Sequence, residues 1–271
     1  MKRLVFLDVD GTLITHSQQV PDSAAAAVKR AQDKGHTLVL CTGRSLPEIY
    51  PVLWDMGFVG IVAGNGAYVR VGEKVLVDAR LSNDDIRSIS AVLDDMGAEY
   101  IWQGPETMAP SCRFADAFLS LAGEFGRDWE AYLDSVTTTM VGELPTSASK
   151  CTFVLPAGSG YSVADVRARI DDGYTIVDGS IAGPGGVTGE LADARVSKGT
   201  GLMAVAAHLG VDLTDTVAVG DSANDVPMLE TAGLAIAMGN ATPVARAAAD
   251  WVSSPIGEDG LARAFAHAGL V

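Results

Sequence analysis

The sequence is poor in the residues on which many classes of site depend. Its three cysteines, Cys41, Cys112 and Cys151, lie far apart and form no Cys-x-x-Cys pair, so we expect reduced, mostly buried thiols. The four histidines are scattered, and no Gly-x-Ser-x-Gly sequence marks a serine nucleophile. These absences argue against a disulfide-bonded protein and against a serine hydrolase.

Positive charge and long apolar runs are also scarce. The 19 Lys and Arg residues face 34 Asp and Glu, which is the wrong balance for gripping a nucleic-acid backbone, so nucleic acid is not an expected partner. No apolar run approaches the roughly 20 residues of a membrane span, and no signal-peptide cleavage pattern follows the N-terminus. We expect a cytoplasmic protein without a membrane partner. An anionic substrate would need local cations, which a bound metal would supply.

The first acidic cluster follows the first predicted strand. The apolar residues 4–7 end abruptly in Asp8-Val9-Asp10-Gly11-Thr12. Four consecutive apolar residues are typical of a strand covered on both faces, and open α/β sheets bind ligands beyond the carboxyl ends of such strands. If the extended conformation continues, Asp8 and Asp10 point the same way and Val9 points to the core. A strand followed by a simple turn would explain the same residues.

Helices and strands alternate in the pattern of a parallel α/β sheet. A helix over 24–34 and a strand over 37–41 complete a right-handed βαβ unit that ends at Thr42-Gly43-Arg44. The spacing of Ser45 and Glu48 predicts a capping box and a helix running to about Met56, so Gly43 would precede a helix N-terminus. A strand over 60–63 and a hairpin over 68–78 follow.

The rhythm then changes between residues 82 and 188. Helices are predicted near 84–96, 114–125 and 163–170, with strands near 151–155 and 175–177. This segment is typical of an inserted domain, and none of its predicted strands ends in paired carboxylates. The βα pattern resumes with a helix that follows Ser197 and a strand over 216–219. The first domain is therefore predicted to be discontinuous.

A second acidic cluster, Gly220-Asp221-Ser222-Ala223-Asn224-Asp225, follows that last strand. A turn in which Asp225 caps the next helix would explain it, but capping and catalysis are compatible. Three carboxylates converging from neighbouring strands must be neutralised, and Mg²⁺ favours few carboxylates, waters and phosphate oxygens. Thr42, the Gly43 N–H and Lys198 offer donors to an anion, although a lone lysine is most often a surface charge. A metal and an anion site together indicate a phosphate.

Taken together, four motifs resemble those of the haloacid dehalogenase superfamily: Asp8-x-Asp10-Gly11-Thr12, Thr42-Gly43-Arg44, Lys198-Gly199 and Gly220-Asp221-Ser222-x-Asn224-Asp225. Asn65-Gly66-Ala67, the insertion, and Ala237-Met238-Gly239-Asn240-Ala241 resemble the Cof-type phosphatase branch with a type II cap. The resemblance implies an α/β fold. Its Rossmann-like parallel sheet core would comprise residues 1–81 and 189–271, with an inserted α+β cap domain over 82–188.

The resemblance also implies roles for single residues. Asp8 would attack phosphorus and form an aspartyl-phosphate, while Asp10 would protonate the leaving oxygen and later activate water. Mg²⁺ would be held by Asp8, the Asp10 backbone carbonyl and Asp221, with Asp225 supporting the metal waters or Lys198. The phosphate would be clamped by Thr42, Gly43, Lys198 and Asn224. Arg44 would reach towards the substrate.

We therefore predict a Mg²⁺-dependent phosphoric monoester hydrolase acting on a small phosphorylated metabolite, a sugar phosphate by preference. Two alternatives stay open. A phosphomutase is the first, because phosphomannomutases share the Asp8-x-Asp10 motif, and the hydrolytic assignment depends on Thr42-Gly43-Arg44 and on the form of the last motif. A non-catalytic phosphate-binding regulator is the second, and the intact pair of Asp8 and Asp10 argues against it. We expect the insertion to choose the substrate.

Overall fold

The computed structural model describes residues 2–122, 133–134, 136–183 and 185–271. The strands, in chain order, are β1 (Leu4–Leu7), β2 (Thr37–Cys41), β3 (Gly60–Ala63), β4 (Tyr68–Val71), β5 (Lys74–Asp78), β6 (Leu81–Ser82), β7 (Glu99–Gln103), β8 (Met108–Pro110), β9 (Ser147–Ala148), β10 (Lys150–Pro156), β11 (Tyr174–Gly183), β12 (Gly186–Asp193), β13 (Thr216–Gly220), β14 (Leu234–Ala237) and β15 (Trp251–Val252). The α-helices are α1 (Asp22–Asp33), α2 (Pro51–Asp55), α3 (Asn83–Asp95), α4 (Phe114–Ala122), α5 (Val163–Arg167), α6 (Lys198–Leu209), α7 (Val226–Thr231), α8 (Pro243–Ala247) and α9 (Gly260–His267). None of the helices in these ranges is both long and apolar enough to cross a membrane.

The chain forms two compact units. The first comprises Met1–Arg44, Ile49–Asp78 and Val196–Val271, and the second comprises Ser45–Glu48 and Ala79–Arg195. The second unit extends beyond the predicted 82–188 at both ends. At the C-terminal end the reason is β12, which continues past residue 188 to Asp193.

The first unit is built on an eight-stranded sheet in the order β15-β14-β13-β1-β2-β3-β4-β5. β1 lies between β13 and β2 and pairs with both in parallel, so that Leu4 lies opposite Thr216 and Thr37. β3 continues the parallel pairing from β2, and β4 and β5 then follow it as an antiparallel meander. All four residues of β1 are buried, as expected of a strand covered on both faces. The predicted α/β fold with a Rossmann-like parallel core is confirmed.

Helices pack their apolar stripes against this sheet. α1 buries Ala24, Ala27, Val28 and Ala31, which recur at the three- and four-residue spacing of one helix face. On α6, Leu202 and Val205 join a core cluster with Phe6, Val39 and Ala218 of the sheet. Each large side chain buried there stabilises the fold by roughly 2 kcal/mol. This packing fixes the strand ends that carry the motifs.

The predicted continuous helix from Ser45 to Met56 is wrong in its start, although α2 ends at Asp55 with Met56 as its C-cap. The Ser45 N–H and hydroxyl both donate to Glu48 Oε2 at 2.6 Å, but the Glu48 N–H donates to the Ser45 carbonyl and not to its hydroxyl, so only half of the expected capping box is made. It starts only a short 3-10 turn over Leu46–Glu48, and α2 begins at Pro51. Tyr50 is extended, with ψ of 140°, because the ring of a following proline disfavours helical backbone in the residue before it. No α-helix N-terminus therefore follows Gly43 directly.

The second unit contains an antiparallel sheet in the order β11-β12-β10-β7-β8 and a short pair, β6-β9. α3 and α5 contribute Leu93 and Val166 to a core with Trp102 and Phe153. The Trp102 indole N–H donates to Ser90 Oγ at 2.9 Å, which satisfies its polar atom inside the core. The predicted helix over 114–125 is observed as α4 to Ala122, and the remainder lies outside the described residues.

Candidate active site

The sequence motifs follow neighbouring strands of the first unit. Asp8 follows β1, Thr42 follows β2, and Asp221 follows β13. Because these three strands are adjacent and parallel, their carboxyl ends lie at the same edge of the sheet. One carboxylate oxygen from each of Asp8, Asp221 and Asp225 lies within 4.8 Å of the others. The structure thus brings the two acidic clusters of the sequence into one place.

Lys198 is a buried cation at this edge. It is the first residue of α6, and its side chain has no exposed surface. Its Nζ donates to Asp8 Oδ1 at 2.7 Å and to Asp225 Oδ1 at 2.5 Å. Burial alone would lower the pKa of Lys198, but the Asp225 and Asp8 carboxylates outweigh burial and raise the pKa above its ordinary value. Lys198 is therefore charged, and it is not a solvated surface lysine.

Asp225 ties the loop after β13 to that lysine. Its Oδ2 accepts the backbone N–H groups of Asp221 and Ser222, both at 2.8 Å, while Oδ1 accepts from Lys198. The side chain is completely buried. A Cβ on Gly220 would lie 2.5 Å from Asp225 Cγ, so the close approach requires glycine there. Hydrogen bonds therefore hold both carboxylate oxygens of Asp225.

Asp8 has one engaged oxygen and one open oxygen. Oδ1 accepts from Lys198, whereas Oδ2 is buried and finds no hydrogen-bond partner in the part of the chain that the structure describes. Burial, followed by the charge of Asp225, raises the pKa of Asp8 well above its ordinary value, and Lys198 opposes this shift. A buried acceptor without a partner costs roughly 1–3 kcal/mol, so Oδ2 fits a position that meets a cation or a phosphorus atom.

Asp221 completes a set of hard oxygen atoms suited to a divalent cation. Its Oδ1 accepts the Ser222 hydroxyl at 2.9 Å. Burial and then Asp225 raise the pKa of Asp221 to about 6. Carboxylates that raise one another's pKa are relieved by a bound cation, and oxygen donors are those that Mg²⁺ prefers. The three acidic residues therefore fit a divalent metal site.

Asp10 and Arg44 form the other side of the site. The Arg44 guanidinium donates from Nε to Asp10 Oδ2 at 2.8 Å and from Nη2 to Asp10 Oδ1 at 2.7 Å. Arg44 is 7% exposed and the Asp10 side chain 47% exposed. Burial disfavours the charged form of Arg44, but Asp10 outweighs burial and raises its pKa. The guanidinium that we expected to reach towards a substrate thus grips the predicted acid-base residue.

The predicted phosphate-binding residues lie along the ends of β2 and β13. Thr42 is buried, and its Oγ1 accepts the Arg44 backbone N–H at 3.1 Å. Asn224 Nδ2 donates to Asn65 Oδ1 at 3.0 Å, while Asn224 Oδ1 is buried without a partner among the described residues. A Cβ on Gly43 would lie 3.2 Å from both Asn224 Nδ2 and Asn65 Oδ1. Gly43 therefore lies directly against this amide pair.

Asn65 is a site residue to which sequence reasoning gave no role. Its backbone is left-handed, with φ of 57° and ψ of 31°, and its N–H donates to the Thr42 carbonyl at 3.1 Å. Asparagine tolerates this conformation better than most residues. The next residue, Gly66, has φ of 99°, and a Cβ there would lie 2.1 Å from the Ser197 carbonyl oxygen. The Asn-Gly pair after β3 was the signal for this turn.

Asn240 is a second residue of this kind. Its Nδ2 donates to the Gly11 carbonyl at 2.9 Å and to Asp221 Oδ2 at 3.2 Å. Its Oδ1 accepts the Ile256 N–H at 2.9 Å, which fixes the orientation of the amide. Asn240 therefore links the loop after β1 to the loop after β13. It lies in the stretch whose resemblance to the Cof-type branch the sequence had indicated.

Comparison with known proteins finds a matching family and similar phosphatases. The model of the haloacid dehalogenase-like hydrolase family matches residues 5–115 and 162–265. The Bacillus subtilis phosphatase YwpJ is 26% identical over 98% of this chain and 99% of its own length. The 5-amino-6-(5-phospho-D-ribitylamino)uracil phosphatase YcsE of the same organism is 24% identical over 98% of this chain and 95% of its own.

The structural comparison agrees. A sugar phosphatase of haloacid dehalogenase subclass IIB superposes with a TM-score of 0.80 at 23% identity, with both chains fully covered. At that identity the likeness concerns the fold, and the family match rests on the sequence. The chain belongs to the haloacid dehalogenase-like hydrolase family, in the Cof-type branch that its motifs predicted, and its enzyme class is phosphoric monoester hydrolase.

Proposed function

We propose that this protein is a Mg²⁺-dependent phosphatase that hydrolyses a small sugar phosphate through an aspartyl-phosphate on Asp8. One observation carries the proposal. Asp8 presents a buried, unpartnered Oδ2 beside a buried lysine and two further carboxylates, within the described residues. A carboxylate held by one oxygen with the other open is arranged for nucleophilic attack.

In the first half-reaction, Asp8 attacks the phosphorus atom, and the bond between phosphorus and the leaving oxygen breaks. Asp10 donates its proton to that oxygen, so the product leaves as an alcohol. Lys198, Thr42, Asn224 and the Gly43 N–H hold the phosphoryl oxygens, because phosphoryl transfer depends mainly on positioning and charge neutralisation. Lys198 donates a hydrogen bond to Asp8, so its positive charge lies beside the reacting atoms.

In the second half-reaction, Asp10 is a carboxylate and accepts a proton from water. The water oxygen attacks the phosphorus, the bond to Asp8 breaks, and inorganic phosphate leaves. Asp8 returns as a carboxylate and Asp10 as an acid, so one residue serves both steps. The proposal needs a bound cation at Asp8, because burial raises the pKa of that carboxyl, whereas Asp10 is 47% exposed and can exchange protons with water.

The divalent metal belongs to the same proposal. Mg²⁺ would be held by Asp8, Asp221 and the Asp10 carbonyl, and would supply positive charge to the carboxylates and the phosphate oxygens. Asp225 supports this site from behind, because its oxygens hold Lys198 and the backbone of the loop. The clustering of carboxylate oxygens from Asp8, Asp221 and Asp225 within 4.8 Å of one another is the observation that favours a metal there.

The names of similar proteins support the choice of a sugar phosphate. YcsE is named for a phosphorylated ribityl compound, and the superposed subclass IIB protein is named a sugar phosphatase. We propose that the second unit chooses the leaving group, because every catalytic motif lies outside Ala79–Arg195. Substitutions there should change the ranking of substrates more than the hydrolysis of p-nitrophenyl phosphate.

The test is a phosphate-release screen over phosphorylated metabolites, with Mg²⁺ and without any bisphosphate activator. We expect release of inorganic phosphate, fastest from one or a few sugar phosphates. Release that depends on a bisphosphate would indicate a phosphomutase. Absence of release from every phosphomonoester would overturn the proposed function.

A further inference from the structure

Two residues outside the four motifs hold the Arg44 guanidinium. Arg44 Nη2, which donates to Asp10, also donates to Gln18 Oε1 at 2.6 Å. The Tyr50 hydroxyl donates to the same Gln18 oxygen at 2.9 Å. The Tyr50 ring lies beside the guanidinium, with 4.7 Å between its centroid and Arg44 Cζ. Gln18 and Tyr50 therefore bracket the arginine that grips Asp10.

The turn that carries Gln18 is built to present this side chain. Gln18 has a left-handed backbone, with φ of 59°, which costs an ordinary L-residue roughly 1–2 kcal/mol. The Gln18 N–H donates to the Thr15 carbonyl at 2.9 Å, and the Thr15 N–H donates to the Gln19 carbonyl at 2.9 Å. These bonds hold the turn closed. The strained residue is thus the one whose amide meets Arg44.

The orientation of Asp10 depends on its contact with Arg44. Nearly half of its side chain is exposed, so it lacks the close packing that fixes a buried rotamer. Two parallel hydrogen bonds from a planar guanidinium fix both the position and the plane of a carboxylate. Such a fork orients Asp10 only if the fork is itself held, because a long arginine side chain has many rotamers.

We propose that Gln18 and Tyr50 are positioning residues for Asp10, acting through Arg44. The inference rests on the proposed function, in which Asp10 protonates the leaving oxygen. Gln18 supplies the acceptor that fixes Nη2, and Tyr50 covers the guanidinium face and orients the Gln18 amide. If either residue is lost, the Arg44 guanidinium can change its orientation. The Asp10 carboxylate is then no longer oriented towards the leaving oxygen.

The dependence of the rate on the leaving group distinguishes a positioning role from a purely structural one. An alkyl phosphate, such as a sugar phosphate, needs a proton on its departing oxygen, whereas p-nitrophenolate leaves readily without one. Misplacing a general acid therefore slows the alkyl ester more than the aryl ester. A general loss of folding or of phosphate binding lowers both rates by the same factor.

The experiment compares kcat/KM for the best sugar phosphate with that for p-nitrophenyl phosphate in Gln18→Ala, Tyr50→Phe and Tyr50→Leu. Asp10→Ala sets the full effect, and Gln19→Ala, an exposed neighbouring glutamine, is the matched control. We expect the sugar phosphate to aryl phosphate ratio to fall about tenfold or more in Gln18→Ala and Tyr50→Leu, and less in Tyr50→Phe, within the 10² to 10⁴ that a general acid contributes. Gln18→Glu keeps an acceptor oxygen for Arg44 and should restore the ratio.

Equal losses on both esters in these variants would overturn the inference, and so would a ratio that stays at the wild-type value or rises. Failure of the proposed function would be seen separately, because wild-type protein would then release no phosphate from either ester. Melting temperatures of all variants identify any that fold poorly. Because Gln18 and Tyr50 are changed independently, the loss of one variant leaves the other to decide.

Discussion

Asp8 and Asp10 lie two residues apart, yet each is paired with a different cation in different surroundings. Asp8 is buried against Lys198, which has no exposed surface, while Asp10 is half exposed and held by the fork of Arg44. The buried charge of Lys198 opposes the rise in the pKa of Asp8 and favours the ionised form that the proposed attack requires. The two parallel hydrogen bonds from Arg44 orient the Asp10 carboxylate at the edge of solvent, where the proposed proton exchange would take place. The difference shows that the surroundings of Asp8 and Asp10 are set by their cationic partners, Lys198 and Arg44, as well as by their positions in the shared motif.

The largest effect is expected from Asp8→Asn. It removes the nucleophile while keeping the side-chain shape, so kcat should fall by more than about 10⁴ for sugar phosphates and aryl phosphates alike. Asp10→Asn should spare the aryl ester more than the alkyl ester. Phosphate release and melting curves of both variants provide the measurement. Wild-type turnover in a well-folded Asp8→Asn protein would remove the distinction between the two aspartates.

The second-largest effect is expected from metal removal, which should also distinguish Asp221 from Asp10. Excess chelator should lower activity on the order of 10³ or more, since the ion contributes several kcal/mol to the transition state, and Mg²⁺ should restore it. Without substrate, Mg²⁺ should raise the melting temperature, because it binds only the folded site. That rise should shrink in Asp221→Asn and persist in Asp10→Asn, whose predicted contribution is a backbone carbonyl. An equal rise in both variants would place the ion elsewhere.

Lys198→Met tests the buried cation itself. The change keeps an unbranched side chain of similar length but leaves Asp8 and Asp225 facing one another without their partner. We expect kcat to fall about 10² to 10³ and the free energy of unfolding to fall by roughly 3–5 kcal/mol. Lys29→Met, which removes an exposed lysine paired with Asp33, should change neither. A loss of activity below about threefold in Lys198→Met would refute its role.

The smallest effect is expected at Asn65, which accepts a hydrogen bond from the proposed phosphate ligand Asn224. Asn65→Gly keeps the left-handed backbone and removes the partner of Asn224, whereas Asn65→Ala also strains the backbone. Both should weaken competitive inhibition by inorganic phosphate about tenfold, the equivalent of one charge-free hydrogen bond. Only Asn65→Ala should lose a further 1 kcal/mol or so of folding stability. Unchanged inhibition in Asn65→Gly would assign Asn65 to the turn alone.

Much of this site could be predicted from the sequence, because its residues are identified by their type and by their position at the end of a strand. Asp8, Asp221 and Thr42 were placed correctly at strand ends, since a buried run followed by polar residues defines such an end. The burial of Lys198 could not be predicted from its own residue type, which is typical of surfaces. It results from the packing of α6 against the sheet, which is a tertiary effect.

Other features were missed. The helix expected from Ser45 is interrupted at Tyr50, because our interpretation gave the capping spacing more weight than the rule that a residue before proline avoids helical backbone. β7 and β12 were not predicted. β7 begins with Glu99 and ends with Gln103, polar residues that are buried in the fold, while two glycines weaken the strand signal of β12. The grip of Arg44 on Asp10 joins residues 34 positions apart and follows from the alignment of β1 with β2.

The pairing of β1 with β13 also sets when the enzyme can come into being during synthesis. Leu4 must wait for Thr216 before β1 has both of its neighbours, and Asp8 must wait for Lys198. At roughly 5–20 residues per second, the nascent chain spends on the order of ten seconds or longer with its nucleophile made but its lysine not yet translated. Until then β1 has one open edge, and the apolar segment Leu4–Leu7 is exposed to pairing with other chains. The order of the chain therefore delays completion of the central sheet, and of the carboxylate cluster that follows β13, until the last part of the chain has been made.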